Sequence, residues 1–398
     1  LRICLFFSKQ ENGKNEKIER KDPMLSPVSN EKIVTKKQTA FSKIFQTTVY
    51  TPTPKNPAPL LTYPRVLVVE HGREENGTLY VTSESLDRND FLIHRSSDSG
   101  QTWKIVAAVS SDRQDLAANW QPFLYELPAS LGAWKKGTLL LAGCEHSHTE
   151  SRLTLWKSTN RGENWQKMST VVEAGGIGAG VWEPFLILDP DSGSLVCFYS
   201  HDADEGHSQT LAFKTSLDGI HWSEQTWAVA CTDRNLRPGM ASVARLGDGR
   251  YFLCYEMVGM AGSPVHYKLS DCLTDWGDVS DTGKLILSTD GKSLGATPYC
   301  CWTPQGGEKG RLIVTGKFMA SGSSSTGTDW LISSDFGESF EAVENPLPYT
   351  VSDSPRTAYS PSLFVAEDGS LYYTNDVDWD YGDSGFQTKL ELVHLSIS

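Results

Sequence analysis

One pattern of apolar and polar positions recurs six times along the chain. A proline leads into an apolar run, a glycine turn interrupts it, and a second apolar run follows. The prolines stand in YPRVLVV, QPFLYEL, EPFLILD, RPGMASV, TPYCCW and SPSLFV, at Pro64, Pro122, Pro184, Pro238, Pro298 and Pro361. The turns stand in NGTLYV, KGTLLL, SGSLVCFY, DGRYFLCY, KGRLIV and DGSLYY, at Gly77, Gly137, Gly193, Gly249, Gly310 and Gly369. Successive turn glycines are 60, 56, 56, 61 and 59 residues apart. Short apolar runs bounded by turn residues predict strands. A turn glycine supplies the positive φ of a tight hairpin. A proline is tolerated as the first residue of a strand and holds the residue before it extended. Each unit is therefore expected to open with a hairpin, strand A to strand B.

A third marker falls in phase with these two. SSDSGQTW (Ser96 to Trp103) recurs as STNRGENW (Ser158 to Trp165) and SSDFGESF (Ser333 to Phe340), and in weaker form as SLDGIHW and SDCLTDW. The aspartate of such a turn accepts hydrogen bonds from its own amides, and the tryptophan covers the hairpin with an apolar face. This turn joins strand C to strand D. The three markers together resemble the Asp-box repeats of sialidase-type proteins. Six copies imply an all-β fold, a six-bladed β-propeller. The last repeat ends with LELVHLSI and lacks an outer strand. IFQTTVYT (Ile44 to Thr51) alternates as a strand and is expected to complete the sixth blade, removing an open sheet edge. Residues 41–398 would form the propeller. Residues 1–40, rich in Lys, Glu, Ser and Pro, read as a flexible tail.

Composition narrows the function. The net charge is -13, and residues 1–45 alone carry +5, which leaves -18 on the rest. Such a surface argues against nucleic acid or an anionic membrane as partner. No apolar run is long enough for a transmembrane helix, and LRICLFF at the start is too short for the apolar region of a signal peptide. The cysteines show no metal spacing. Cys197, Cys254, Cys300 and Cys301 sit inside apolar runs and read as small buried hydrophobes. Asn76-Gly77-Thr78 is a glycosylation sequon on a turn.

The topology sorts the polar residues. The start of strand A and the end of strand B share one rim; the glycine turns and Asp boxes lie on the other, as scaffold. Residues before the prolines, Tyr63, Gln121, Glu183, Arg237, Thr297 and Ser360, are expected to form one ring on the near rim. The ends of the B strands, Glu84, Glu145, Asp202, Glu256, Lys317 and Asp376, would form another. So many polar groups around an axis suit a polar ligand. Glu183 and Glu256 come from consecutive blades, and two close carboxylates separate their pKa values, as an acid and a nucleophile need. The alternative is that either glutamate merely pairs with Arg237 or Lys317. Arg65, Arg237 and Arg356 lie near strand A starts, where they can grip a polar ligand. Trp182 can offer its ring face to a ligand or simply pack between blades. His146, His148 and His201 lack a defined set of metal ligands and read as ligand contacts or rim residues.

VWEPF followed by LCYEM, with glutamates 73 residues apart inside this repeat frame, resembles glycoside hydrolase family 93 over roughly residues 45–398. The resemblance implies a retaining exo-acting α-L-arabinanase that removes arabinobiose from the non-reducing end of linear α-1,5-arabinan. It implies Glu183 as general acid/base, Glu256 as nucleophile and Tyr359 as a further site residue. It implies no metal and no organic cofactor, an oligosaccharide or polysaccharide substrate (arabinan), and a secreted protein; the chain is expected to act as a monomer. One rival is a sialidase, with Arg65, Arg237 and Arg356 gripping a carboxylate beside Tyr359. Against it, sialidases usually place their first arginine before a proline, as Arg-Ile-Pro, whereas here the order is YPR. The other rival is a carbohydrate-binding propeller without catalysis.

Overall fold

The computed structural model describes residues 40–53, 60–176, 178–202, 204–324, 327–347, 357–380 and 386–397. The tail expected over residues 1–40 lies outside them, save Ala40. The regular elements among the described residues are strands, apart from one short 3-10 turn at Arg73–Glu75. No helix among them is long and apolar enough to cross a membrane.

Six four-stranded antiparallel sheets follow one another as the blades of a propeller. Blade one comprises Leu61–Val68, Leu79–Ser85, Asp90–Ser96 and Lys104–Ser110, strands A to D in chain order. Blade two opens with Ala118–Glu126 and Leu139–His146, blade three with Val181–Leu188 and Leu195–Asp202, and blade four with Arg237–Arg245 and Tyr251–Val258. Blade five opens with Tyr299–Thr303 and Arg311–Thr315. A two-stranded extension, Ser293–Gly295 against Phe318–Ser321, lies beside it. Blade six uses Ser362–Val365, Leu371–Asp380 and Phe386–Ile397, and Phe41–Tyr50 supplies its fourth strand.

Burial follows the layering. Strand B of blade two is buried at every position, whereas strand D of blade one is largely exposed. Strands covered on both faces read as continuous apolar runs, and the two inner strands of each blade are sandwiched by neighbours. Aromatic pairs lock adjacent blades. Phe91 meets Trp156 at 6.3 Å between blades one and two, and Trp330 meets Tyr373 at 4.9 Å between blades five and six. The Ser-x-Asp-x-Gly turns bind themselves. In blade five the Ser333 hydroxyl accepts the Gly337 amide at 2.8 Å and donates to Asp335 at 2.7 Å. In blade one the Trp103 indole donates to the Gly100 carbonyl at 3.0 Å.

The prolines require a correction. Pro64, Pro122 and Pro184 lie inside strand A, not at its start, within a β-bulge that interrupts the A–B register. The residue before each is not extended. Tyr63, Gln121, Glu183, Thr297 and Ser360 have φ between 42° and 65°. The bulge leaves its residues out of the ladder, so proline's missing N–H costs nothing there. In blade four the bulge falls at Met240 and Ala241, between the pairs Gly239–Glu256 and Ser242–Cys254. Met240, with φ 59°, therefore takes the place expected for Arg237. Aligning the bulges also corrects the second ring. The B-strand residues level with Glu256 are Glu84, Cys144, Ser200, Lys317 and Asp376. Glu145 is one residue out of phase and bonds to Thr154 and Arg152 on strand C. Asp202 lies two residues further along than Ser200.

Candidate active site

The bulge frees a backbone amide at the near rim of each strand A, and the preceding blade accepts several of them. The Gln121 amide donates to Glu84 at 3.1 Å, the Met240 amide to the Ser200 hydroxyl at 3.2 Å, and the Thr297 amide to Glu256 at 2.8 Å. Where blade two carries Cys144, the Glu183 amide turns to the Gln121 side-chain carbonyl at 3.0 Å. The same local geometry that strains the backbone thus ties neighbouring blades together around the axis.

Glu183 and Glu256 come within electrostatic reach of each other in this frame. The Glu183 Oε2 accepts the Ser200 hydroxyl at 2.6 Å and the Met240 amide at 3.1 Å; its Oε1 accepts the Tyr63 hydroxyl at 3.3 Å. Gly239 stands directly across the ladder from Glu256, and a Cβ on it would lie 3.7 Å from the Glu183 Oε2. Directly paired side chains share one face of a sheet, so the bare Gly239 marks the space where the two glutamates approach each other. The environments then separate them. Burial pushes the Glu183 carboxyl up to about 7, and the charge of Glu256 adds to it, opposed by the Ser200 hydroxyl. Burial also raises Glu256, but the Thr297 amide, Lys317 and Arg237 pull it back. Both carboxyls are therefore raised by burial, but only Glu256 has cations among the groups that oppose the rise, and Glu183 is the one suited to hold a proton near neutrality.

Other predicted residues fall around this pair. The Trp182 indole donates to Asp202 at 3.0 Å, and its ring stacks on His146 at 4.2 Å and on Trp120 at 6.0 Å. Arg237 is partly exposed and bonds to Asp202 and Gln209, each at 2.8 Å. Tyr359 packs against Tyr63 at 5.4 Å, with the Lys317 ammonium 4.6 Å from its ring centre. Arg65 is a correction: it does not reach out to grip a ligand. It is buried in the layer beneath, donating to the carbonyls of Pro64 and Ser360 and to the Ser360 hydroxyl, and packing 5.4 Å from the Tyr299 ring. Arg356 lies outside the described residues.

Sequence reasoning passed over Ser200 and Trp120, and named Tyr63 and Gln121 only as rim residues. Trp120 was legible: WQPF in blade two repeats WEPF in blade three, position for position. Ser200 was not, because only the bulge sets which B-strand residue stands level with Glu256. No group of three or more His, Cys, Asp or Glu among the described residues has the arrangement of a metal site. The described cysteines are free thiols. A groove of about 400 Å³ between the outer strands of blades one and two, lined by Val109, Trp165 and Lys167, lies away from the carboxylates. Lys167 there is already paired with Asp112.

No family model matches the chain, and no curated protein does. Solved structures do. An α-L-arabinanase of Penicillium chrysogenum, solved with arabinobiose, is 27% identical with a TM-score of 0.74, over 89% of this chain and 98% of that one. A family GH93 α-L-arabinofuranosidase of Fusarium graminearum, also solved with arabinobiose, is 25% identical with a TM-score of 0.73, over 89% and 98%. The NanB sialidase of Streptococcus pneumoniae, at 11% identity and a TM-score of 0.57 over 93% of this chain and 72% of that one, shares the fold alone. The resemblance to glycoside hydrolase family 93 thus runs through the whole propeller.

Proposed function

We propose that this chain is a retaining, exo-acting glycoside hydrolase that releases arabinobiose from the non-reducing end of linear α-1,5-L-arabinan. The observation that carries the reading is the pair of glutamates from consecutive blades on either side of the bare Gly239, with Glu183 pushed up to about 7 and Glu256 accepting the Thr297 amide beside Lys317 and Arg237. The likeness to two arabinan-related enzymes solved with arabinobiose supports the substrate. In the first step the Glu183 carboxylic acid gives its proton to the departing glycosidic oxygen while the Glu256 carboxylate attacks the anomeric carbon. The C–O bond to the leaving chain breaks and a glycosyl–enzyme ester forms. In the second step Glu183, now ionised, takes a proton from water, whose oxygen displaces Glu256. Trp182 and Trp120 offer ring faces to a furanose, Arg237 offers donors to its hydroxyls, and Tyr359 borders the reacting carbon. The enzyme acts as a secreted monomer, with residues 1–40 outside a catalytic unit of residues 41–398. The sialidase alternative is weakened because Arg65, needed for its arginine trio, is already bonded to Ser360 and Pro64.

Product analysis on linear arabinan tests this. Wild type is expected to release a disaccharide as its sole early product. Glu183→Gln and Glu256→Gln should each lower the rate by about two to four orders of magnitude while oligosaccharide still binds. A ladder of oligomers would remove exo action. Release of sialic acid from a sialoside with arabinan untouched would replace the reading with the sialidase one. Unaltered behaviour of the Glu256→Gln protein would favour a binding module.

A further inference from the structure

The two oxygens of Glu183 are not equivalent. Oε2 accepts two donors, the Ser200 hydroxyl at 2.6 Å and the Met240 amide at 3.1 Å. The Met240 amide also reaches the Ser200 oxygen, at 3.2 Å. That amide takes one lone pair of the Ser200 oxygen and leaves its hydrogen for the carboxylate, the direction in which the short bond runs. A proton on Oε2 would compete with these donors for its lone pairs; the Met240 amide would keep the Ser200 oxygen as acceptor, but the Ser200 hydrogen would lose the carboxylate it bonds, a costly state. Oε1 accepts one contact, the Tyr63 hydroxyl at 3.3 Å, and Tyr63 in turn accepts from the Gln121 amide group at 3.3 Å. One lone pair of Oε1 remains for a proton.

We propose that Ser200 is the positioning residue of the Glu183 acid: with the Met240 amide it occupies Oε2 and so confines the transferable proton to Oε1. This rests on the glycosidase reading above and deepens it. The same oxygen then serves both steps, giving its proton to the leaving oxygen and later taking one from water. The other ionisable groups facing Glu183 are Tyr63 and Arg65 from blade one, Cys144 from blade two, Asp202 on its own blade and Glu256 from blade four. None of them donates to Oε2. Losing the Ser200 hydroxyl therefore removes the closest donor to the ionised form and should favour the acid.

The test titrates Glu183 in protein labelled with ¹³C-glutamate, its resonance assigned by its disappearance in Glu183→Gln. Ser200→Ala is expected to move the midpoint up by about one pH unit, and Ser200→Thr, which keeps the hydroxyl, to restore it. The alkaline limb of kcat/KM on linear arabinan should move with it. If Ser200→Ala does not fold, Ser200→Cys, a weaker donor, should move the midpoint in the same direction by less. A midpoint that stays or falls in these variants overturns the inference. Wild type hydrolysing arabinan, with Glu183→Gln inactive and the midpoint unmoved, would leave the glycosidase reading standing alone. A midpoint that rises in a protein inactive on arabinan would remove the reading and keep the assignment of the proton.

Discussion

Glu183 illustrates what a candidate catalytic residue costs its fold. It holds a left-handed backbone, φ 61°, in a side chain with a β-carbon, a conformation that costs about 1 kcal/mol or more. Its carboxyl is raised from 4.5 to about 7, by burial first and then by Glu256. Between those two values the folded chain holds a proton that the unfolded chain has released. Folding stability therefore falls as pH rises through this window. Glutamine keeps the shape and does not ionise. Glu183→Gln is thus expected to raise Tm relative to wild type at pH 8, by a free energy on the order of 2 kcal/mol once the solvent reaching this half-buried residue is allowed for. The difference should shrink toward pH 4.5. Thermal melts of both proteins across pH 4.5–8.5 measure it. Equal melting differences at all pH values would mean that the carboxyl is not held protonated.

At the scale of the element, the turn and the bulge do opposite things with polar groups. The Ser333 turn closes on itself, so its stabilisation is local. Ser333→Ala leaves the Gly337 amide and Asp335 without this partner and should cost about 1–2 kcal/mol, with no change in catalytic rate. Denaturant unfolding and a hydrolysis assay together check both halves. The bulge instead exports its amide to the neighbouring blade. That explains what could be read from the chain and what could not. Turn glycines, prolines and Ser-x-Asp-x-Gly segments are local signals, and they located the strands. Arg237 aligns with Glu183 in the sequence because both precede proline, yet the blade-four bulge forms three residues later, between Gly239 and Ser242. A bulge is selected by pairing with strand B and with the next blade, neither of which is written in the residues nearby.

At the scale of the whole molecule, the ring is held shut by its ends. Phe41–Tyr50 pairs along Phe386–Ile397 from Phe41–Ile397 to Tyr50–Leu390, and Phe41 packs on Trp330 at 5.2 Å. Removing residues 1–52 would leave the last strand as an exposed edge, a template for pairing with other chains. The truncated protein is expected to melt several degrees lower and to associate, as read by light scattering and size-exclusion chromatography. A truncated form that remains monomeric with an unchanged Tm would mean that the closing strand contributes little. Closure also matters for the site, since Tyr63 and Tyr359 meet across the junction of blades one and six.

The sequence alone determined the number of blades, the strand that closes them and the two glutamates placed at consecutive A and B strands. Those features repeat, and repetition makes weak local preferences add. Only the tertiary structure decided that Arg65 is buried beneath the rim, that Ser200 and not Asp202 stands level with Glu256 and bonds to Glu183, and that Trp120 joins Trp182. Each depends on register between strands and on the spacing between blades. A shift of one residue in an extended chain turns a side chain to the other face, at no cost visible in the sequence of that strand.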